Sequence, residues 1–211
     1  MSFPESLVDR YHRFRHRHFT HNADHYEQLA TYGQNPDVMI ISCSDSRVDP
    51  ETIFSAMPGE LFVVRNVASL VPPFETGGLY HGVSAAIEFA VLNLRTKHII
   101  VIGHSSCGGI KACLNENAAV QTEAQFISQW MSLLNDARQS LLAAHPEYSP
   151  QEKQRAMEFA GVEASIKNLR TFPFVSDLEA KGKVFLHGAH FDIGTGTLSV
   201  LNQSTGKFYT L

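Results

Sequence analysis

Apolar runs at 38–41, 61–64, 98–103 and 184–188 divide the chain, each closing on a polar, histidine or glycine position. They predict four strands, the first over 38–42. The third, His98-Ile99-Ile100-Val101-Ile102-Gly103, is continuous rather than alternating, as strands buried on both faces of a parallel sheet are. Between the runs the apolar spacing turns helical. Val83, Ala86, Ile87, Ala90, Val91 and Leu94 recur at helix period over 82–94, and 122–145 and 150–171 read as two long helices separated by Pro146 and Pro150. Pro50 opens a short helix over 51–56, and Gly108-Gly109 feeds another that runs to 115. Residues 3–32 form a helical arm with polar faces, ended by Gly33-Gln34-Asn35-Pro36. Val71-Pro72-Pro73-Phe74 fits neither helix nor central strand. At the other end, Asp192-Ile193-Gly194-Thr195-Gly196-Thr197 and Ser204-Thr205-Gly206-Lys207 read as hairpin turns in an antiparallel appendage.

Strands alternating with helices predict an α/β fold, with a central, mostly parallel sheet and flanking helices. We expect one domain over 1–211, comprising an N-terminal helical arm (1–34), a core (35–190) and a C-terminal β extension (191–211). A length of 211 residues suits that size.

Composition narrows the function classes. With 44% hydrophobic and 18% charged residues the chain is an ordinary globular one, and its net charge of −4 gives no support to a nucleic-acid surface. No apolar run reaches the roughly 18 residues of a membrane helix. The start lacks a basic segment followed by an apolar one, so no secretory signal is expected. Three cysteines, Cys43, Cys107 and Cys113, are too few for a disulfide framework, which points to a reducing compartment and a cytoplasmic location.

The chemistry gathers at two strand ends. Strand one delivers Cys43-Ser44-Asp45-Ser46-Arg47, and strand three delivers His104-Ser105-Ser106-Cys107-Gly108-Gly109. In open parallel sheets ligands bind outside the carboxyl ends of the strands. If strands one and three are neighbours, Cys43, His104 and Cys107 form a Cys2His set that suits zinc and leaves a fourth position open. Each residue alone has an ordinary reading: Cys43 as a small buried hydrophobe, His104 as a core histidine, the glycines as a tight turn. Cys113 belongs inside the following helix as core. His12/His16 and His21/His25 in the arm have metal-binding spacing, but they sit among Arg13, Arg15 and Arg17 with no carboxylate or cysteine at ligand spacing. An arm of this composition better suits packing on a partner subunit.

Cys43-Ser-Asp-Ser-Arg47, Phe62-Val-Val-Arg-Asn66 and Gly103-His-Ser-Ser-Cys-Gly-Gly109 together resemble the β-class carbonic anhydrase family, from about Gln34 to the Gly188…Asp192-Ile193…Gly196 segment. The resemblance implies a zinc enzyme, with one ion per chain, that hydrates carbon dioxide reversibly to bicarbonate and a proton. It also implies a homodimer or tetramer whose active sites are lined by both subunits. On these residues, zinc-bound hydroxide attacks carbon dioxide. Ionised Asp45 accepts the hydroxide's hydrogen bond, and Arg47 holds Asp45 in a bidentate pair. Asp45 would be a fourth zinc ligand only in a closed state. By the same resemblance Gln34 hydrogen-bonds the substrate or product, and Phe62, Val67 and Phe89 form an apolar pocket for the gas. The Gly108 N–H, near a helix start, faces an anionic oxygen.

Departures from the family pattern carry expectations too. Phe89 and Asn93 stand where plant-type members have a tyrosine and a histidine, so the plant-type proton-shuttle side chains are not at these positions. Ile40 stands where some bacterial members have a tryptophan that helps bind regulatory bicarbonate, so the chain resembles the subtype without that regulatory site. Ser69 stands where asparagine is common. Two competing readings are hydrolysis of carbon disulfide or carbonyl sulfide at the same centre, and a purely structural zinc with Asp45 as a permanent fourth ligand.

Overall fold

The computed structural model describes residues 3–115 and 125–211. Its centre is a six-stranded sheet. In chain order the strands are β1 (Val38–Cys43), β2 (Leu61–Asn66), β3 (His98–His104), β4 (Phe185–Phe191), β5 (Leu198–Asn202) and β6 (Lys207–Thr210). In space they run β2-β1-β3-β4-β5-β6. The first four are parallel, and the last two add antiparallel strands to the β4 edge. The α/β architecture read from the sequence is therefore the one observed, and β1 and β3 are direct neighbours, with Val38 opposite His98 and Ser42 opposite Ile102.

The apolar runs are unbroken because both sheet faces are covered. On one face Met39, Ile41, Ile99 and Val101 pack with Val162, Ile166 and Leu169, all buried. On the other, Ile40, Ile102 and Ala189 form a smaller cluster. The helix over the first face, α8 (Pro150–Leu169 by chain order, after α1 Glu5–Arg13, α2 Ala23–Tyr32, α3 Pro50–Ile53, α4 Gly82–Glu88, α5 Gly108–Leu114, α6 Gln125–Met131 and α7 Asn135–Ala144), starts where chemistry dictates. Ser149 and Glu152 form a reciprocal capping box and proline occupies its first turn. Two glycines let α8 lie close to the sheet: a Cβ on Gly103 would sit 2.8 Å from Val162 Cγ2, and one on Gly188 would sit 2.8 Å from Ile166 Cδ1. After α8, α9 (Pro173–Ala180) leads into β4.

Several boundaries differ from the sequence reading. The arm is not one helix: α1 passes into a wide π turn at Phe14–Phe19, and α2 begins after Asn22. The helix expected over 82–94 changes at Phe89 from α to π. The helix expected over 122–145 is two, α6 and α7, joined by a 3-10 turn at Ser132–Leu134; residues 122–124 lie outside the described residues. The short helix after Pro50 ends at Ile53 rather than 56. Hydrophobic spacing places a helix but does not register such local changes of pitch. The hairpin at 192–197 is as expected, with Asp192 Oδ1 accepting from the Gly194 and Thr195 N–H groups and Gly196 at φ +71°. Among the described residues no helix is long and apolar enough to cross a membrane.

Candidate metal centre

Cys43 is the last residue of β1, His104 the last of β3, and Cys107 the residue before the first turn of α5. Parallel pairing of β1 with β3 brings their carboxyl ends together, and all three side chains are buried there. One ligand atom from each lies within 4.8 Å of the other two. The sulfurs are 4.0 Å apart, too far for a disulfide and inside the roughly 4.6 Å span that two thiolates on one zinc can cover. His104 Nδ1 donates to the Ser105 carbonyl at 3.0 Å, which fixes the tautomer and leaves the lone pair on Nε2. Nε2 itself is buried without a hydrogen-bond partner. An orphaned imidazole nitrogen beside two thiols fits a metal ion better than it fits a packed core.

The backbone is bent to serve this cluster. Ala68, at φ +66°, donates its N–H to Cys43 Sγ at 3.4 Å. Ser69, at φ +57°, is locked by its hydroxyl on the Ile102 carbonyl. Left-handed backbone at non-glycine residues is costly and persists only where neighbours hold it. Hydrogen bonding from Cys107, with the Asp45 and Ala68 N–H groups, pulls the Cys43 thiol well below its ordinary range against the opposing effect of burial.

Asp45 and Arg47 follow in the loop after β1. Arg47 Nε reaches Asp45 Oδ1 at 2.9 Å and Nη2 reaches Oδ2 at 2.7 Å, a bidentate pair, while the Arg47 N–H also donates to Oδ1. Those bonds, side chain first, hold the Asp45 carboxyl far below the usual carboxylate range. Arg47 Nη2 also ties to the Ser106 carbonyl at 3.2 Å, linking the two strand-end loops. Arg65, at the end of β2, adds a second clamp, donating to the carbonyls of Cys43 (2.9 Å), Asp45 (2.6 Å) and Val48 (2.8 Å).

The other expected residues divide into two groups. Val67 and Gly108 stand at the cluster: Val67 directly precedes Ala68, and its Cγ1 would be 2.8 Å from a Cβ on Gly109. Gln34, Phe62 and Phe89 do not. Phe62 pairs with Met39, four residues before Cys43 pairs with Asn66, which is about 13 Å down the strand at about 3.3 Å per residue. Phe89 packs on Phe62 with ring centroids 5.9 Å apart, and Gln34 is exposed ahead of β1. Within one chain these three sit toward the opposite end of the sheet from the thiols. Of the remaining sequence expectations, Cys113 is partly buried against the Cys43–Cys107 cluster, and Ile40 is buried in the sheet.

Sequence reading missed the groups that hold this cluster. Arg65 was part of a motif without a role. Glu158, His190 and Gln154 were not singled out, although Glu158 falls on the same helix stripe as Val162, Ser165 and Leu169, where a carboxylate is out of place. Trp130 also reaches the site, donating from Nε1 to the Val67 carbonyl at 2.8 Å.

Comparison with known proteins agrees with this geometry. A family model described as "Carbonic anhydrase" matches residues 38–198. A carbonic anhydrase of Synechococcus elongatus is 32% identical over 199 residues, covering 94% of this chain and 72% of the relative. Among solved structures, the β-carbonic anhydrase CcaA superposes with a TM-score of 0.92 at 30% identity, covering 98% of this chain and 91% of that one. A structure from work on two tetrameric β-carbonic anhydrases of Sordaria macrospora gives 0.79 at 29% identity, covering 94% and 96%.

Proposed function

We propose a mechanism from the premise that the chain belongs to the β-class carbonic anhydrase family and is a carbonic anhydrase, a lyase of carbon dioxide hydration. In it, one zinc ion per chain is held by Cys43, His104 and Cys107, and Asp45 and Arg47 serve the reaction beside it. The observation that carries this is the convergence of two thiols and an orphaned imidazole nitrogen within 4.8 Å at neighbouring strand ends. Bound there, zinc supplies a Lewis acid that acidifies water enough to provide a nucleophile near neutral pH.

The chain's own residues do the rest. Asp45, kept ionised by Arg47, accepts a hydrogen bond from the attacking oxygen and turns its lone pair toward the substrate carbon. Arg47 keeps Asp45 occupied in a bidentate pair, which would keep the carboxylate from joining Cys43, His104 and Cys107 as a further ligand. The N–H of Gly108, an exposed residue at the start of α5, faces an anionic product oxygen. Val67, 37% exposed beside the cluster, begins an apolar pocket for a non-polar gas.

Phe62 and Phe89 (44% exposed) complete that pocket, and Gln34 binds substrate, from a second copy of the chain. Their distance from the thiols of their own chain supports this, as does the apolar surface on the arm, where Phe3, Leu7, Tyr11 and Phe14 are exposed. The working unit is accordingly a homodimer or a tetramer built from dimers. Each chain acts as one domain over 1–211, its arm (1–34) lying on the partner. Three free cysteines suit a reducing compartment such as the cytoplasm.

Stopped-flow carbon dioxide hydration on metal-quantified protein is the test. We expect one zinc per chain and hydration that increases between about pH 7 and about pH 9. Stoichiometric zinc with no hydration anywhere in that range would remove the proposed mechanism.

A further inference from the structure

Behind Cys107 lies a buried polar bracket that the mechanism above does not use. Glu158 on α8 is 3% exposed. Its Oε1 accepts from the Cys107 backbone N–H at 3.3 Å and from Gln154 Nε2 at 2.8 Å, and its Oε2 pairs with His190 Nε2 at 3.1 Å. Gln154 Nε2 also donates to the Cys107 carbonyl at 3.1 Å. Both ends of Cys107 are therefore gripped, the N–H by Glu158 and the carbonyl by Gln154. His190, on β4 opposite Gly103 of β3, backs the carboxylate, and its ring is fixed edge-on against Phe159 with centroids 4.8 Å apart.

Burying a carboxylate costs heavily unless donors replace its water. Three converge here: a peptide N–H, an amide and an imidazole N–H. With Glu158 ionised, His190 donates through Nε2, and its buried Nδ1 is left without a partner. A helix that needed only to pack would carry an apolar residue at this point of its buried stripe, as it does at Met157, Val162 and Ile166. The Cys107 carbonyl already accepts the first bond of α5, from the Lys111 N–H at 3.0 Å, but its own N–H follows Ser106 at φ +57° and is taken by Glu158 rather than by a backbone carbonyl.

We propose that Glu158, supported by His190 and Gln154, is a positioning residue that fixes the Cys107 peptide and so aims its sulfur at the metal. This rests on the reading of Cys107 as a zinc ligand. The bracket joins α8 and β4 to the ligand turn, so the outer faces of the core set the geometry of one ligand. Groups that orient ligands in this way are worth about 10- to 100-fold in metal affinity, and a charged acceptor bonds roughly twice as strongly as a neutral one.

The test uses the full-length protein and its E158Q and Q154M variants. Zinc affinity is measured by chelator competition, the sulfur-to-metal absorption bands are recorded on cobalt-loaded protein, and folding is followed by circular dichroism. In E158Q the amide that replaces the carboxylate can still accept from the Cys107 N–H, but without charge. Gln154 is half-buried at the wall of a 720 Å³ cavity, where methionine fits. We expect zinc affinity to fall about 10- to 100-fold in E158Q and about 10-fold in Q154M, with shifted cobalt bands in both. Wild-type affinity and wild-type cobalt bands in the folded variants overturn the proposal, even if melting temperature drops, because that is what a purely structural role gives. If E158Q does not fold, Q154M decides alone on the same two readouts. Wild-type protein that binds no zinc refutes instead the metal reading on which the proposal rests.

Discussion

Arg65 contributes no atom to the thiol–imidazole cluster, yet its guanidinium holds three carbonyls of the loop that carries Asp45 and Arg47. Five donors in a rigid fork suit that task, and a lysine could not reproduce it. Asp45 and Arg65 should therefore fail differently. In the proposed mechanism Asp45→Asn removes the charge that orients the nucleophile while leaving Cys43, His104 and Cys107 in place, so zinc content should be unchanged and turnover should fall about 100-fold or more. Arg65→Gln frees the loop without altering the Asp45 carboxylate or its Arg47 pair, so turnover should fall about tenfold with zinc again retained. Metal analysis and stopped-flow rates on the same samples separate the two, and full activity in Asp45→Asn would remove Asp45 from the mechanism. Ser69, which had no reading in the sequence, gains a structural one: buried and left-handed, it joins β3 to α8 by donating to Ile102 and accepting from Ser165.

Among the elements, α8 and the strands beneath it set the spacing of the site. Gly188→Ala would place a methyl 2.8 Å from Ile166 Cδ1 and from Val162 Cγ1, and 3.2 Å from Leu201 Cβ, contacts from two sides that one rotamer change cannot relieve. The expected cost is about 1–3 kcal/mol, read from the urea midpoint, with unchanged stability counting against close packing of α8. Further down the sheet, β3 and β4 meet through His98 Nδ1 and His187 Nε2, 3.0 Å apart. One proton between two ring nitrogens makes a bond, whereas two set N–H against N–H. Burial first, and then His98, lower the His187 pKa. A lowered folded pKa means that the unfolded chain takes up the proton more readily. This stabilisation is therefore complete above the unfolded value of about 6.5 and is lost as pH falls through the lower folded value. Urea midpoints of wild type and His187→Gln should thus converge on acidification below about pH 6.5, and parallel curves would contradict this.

At the scale of the molecule, the proposed pocket residues are split between the two ends of the sheet, and in the proposed mechanism a second chain reunites them. That arrangement predicts complementation. A Cys43→Ser chain lacks a metal ligand, and a Phe62→Ala chain lacks part of the pocket wall. A mixed dimer contains one site with intact zinc ligands from the Phe62→Ala chain and an intact Phe62 from its partner. Mixing the two proteins under conditions that allow exchange should raise hydration above the sum of the separate samples. No gain, with exchange demonstrated by mass, would place the pocket within one chain.

The donor set was legible in the sequence because it depends on local pattern. An apolar run ends where its strand leaves the sheet, and Cys43, His104 and Cys107 stand at or just beyond two such ends. Asp45 and Arg47 were legible for the same reason, since two residues of separation let the pair close within one loop. What only the tertiary structure decided depends on contacts between distant segments. Parallel pairing of β1 with β3 is what makes two strand ends one site. Packing of α8 against β3 and β4 brings Glu158, 51 residues along the chain, onto the Cys107 amide, and strand register carries Phe62 away from the thiols. No periodicity within a segment encodes which other segment it will face, so the sequence named the clustered residues and the fold supplied what packs around them.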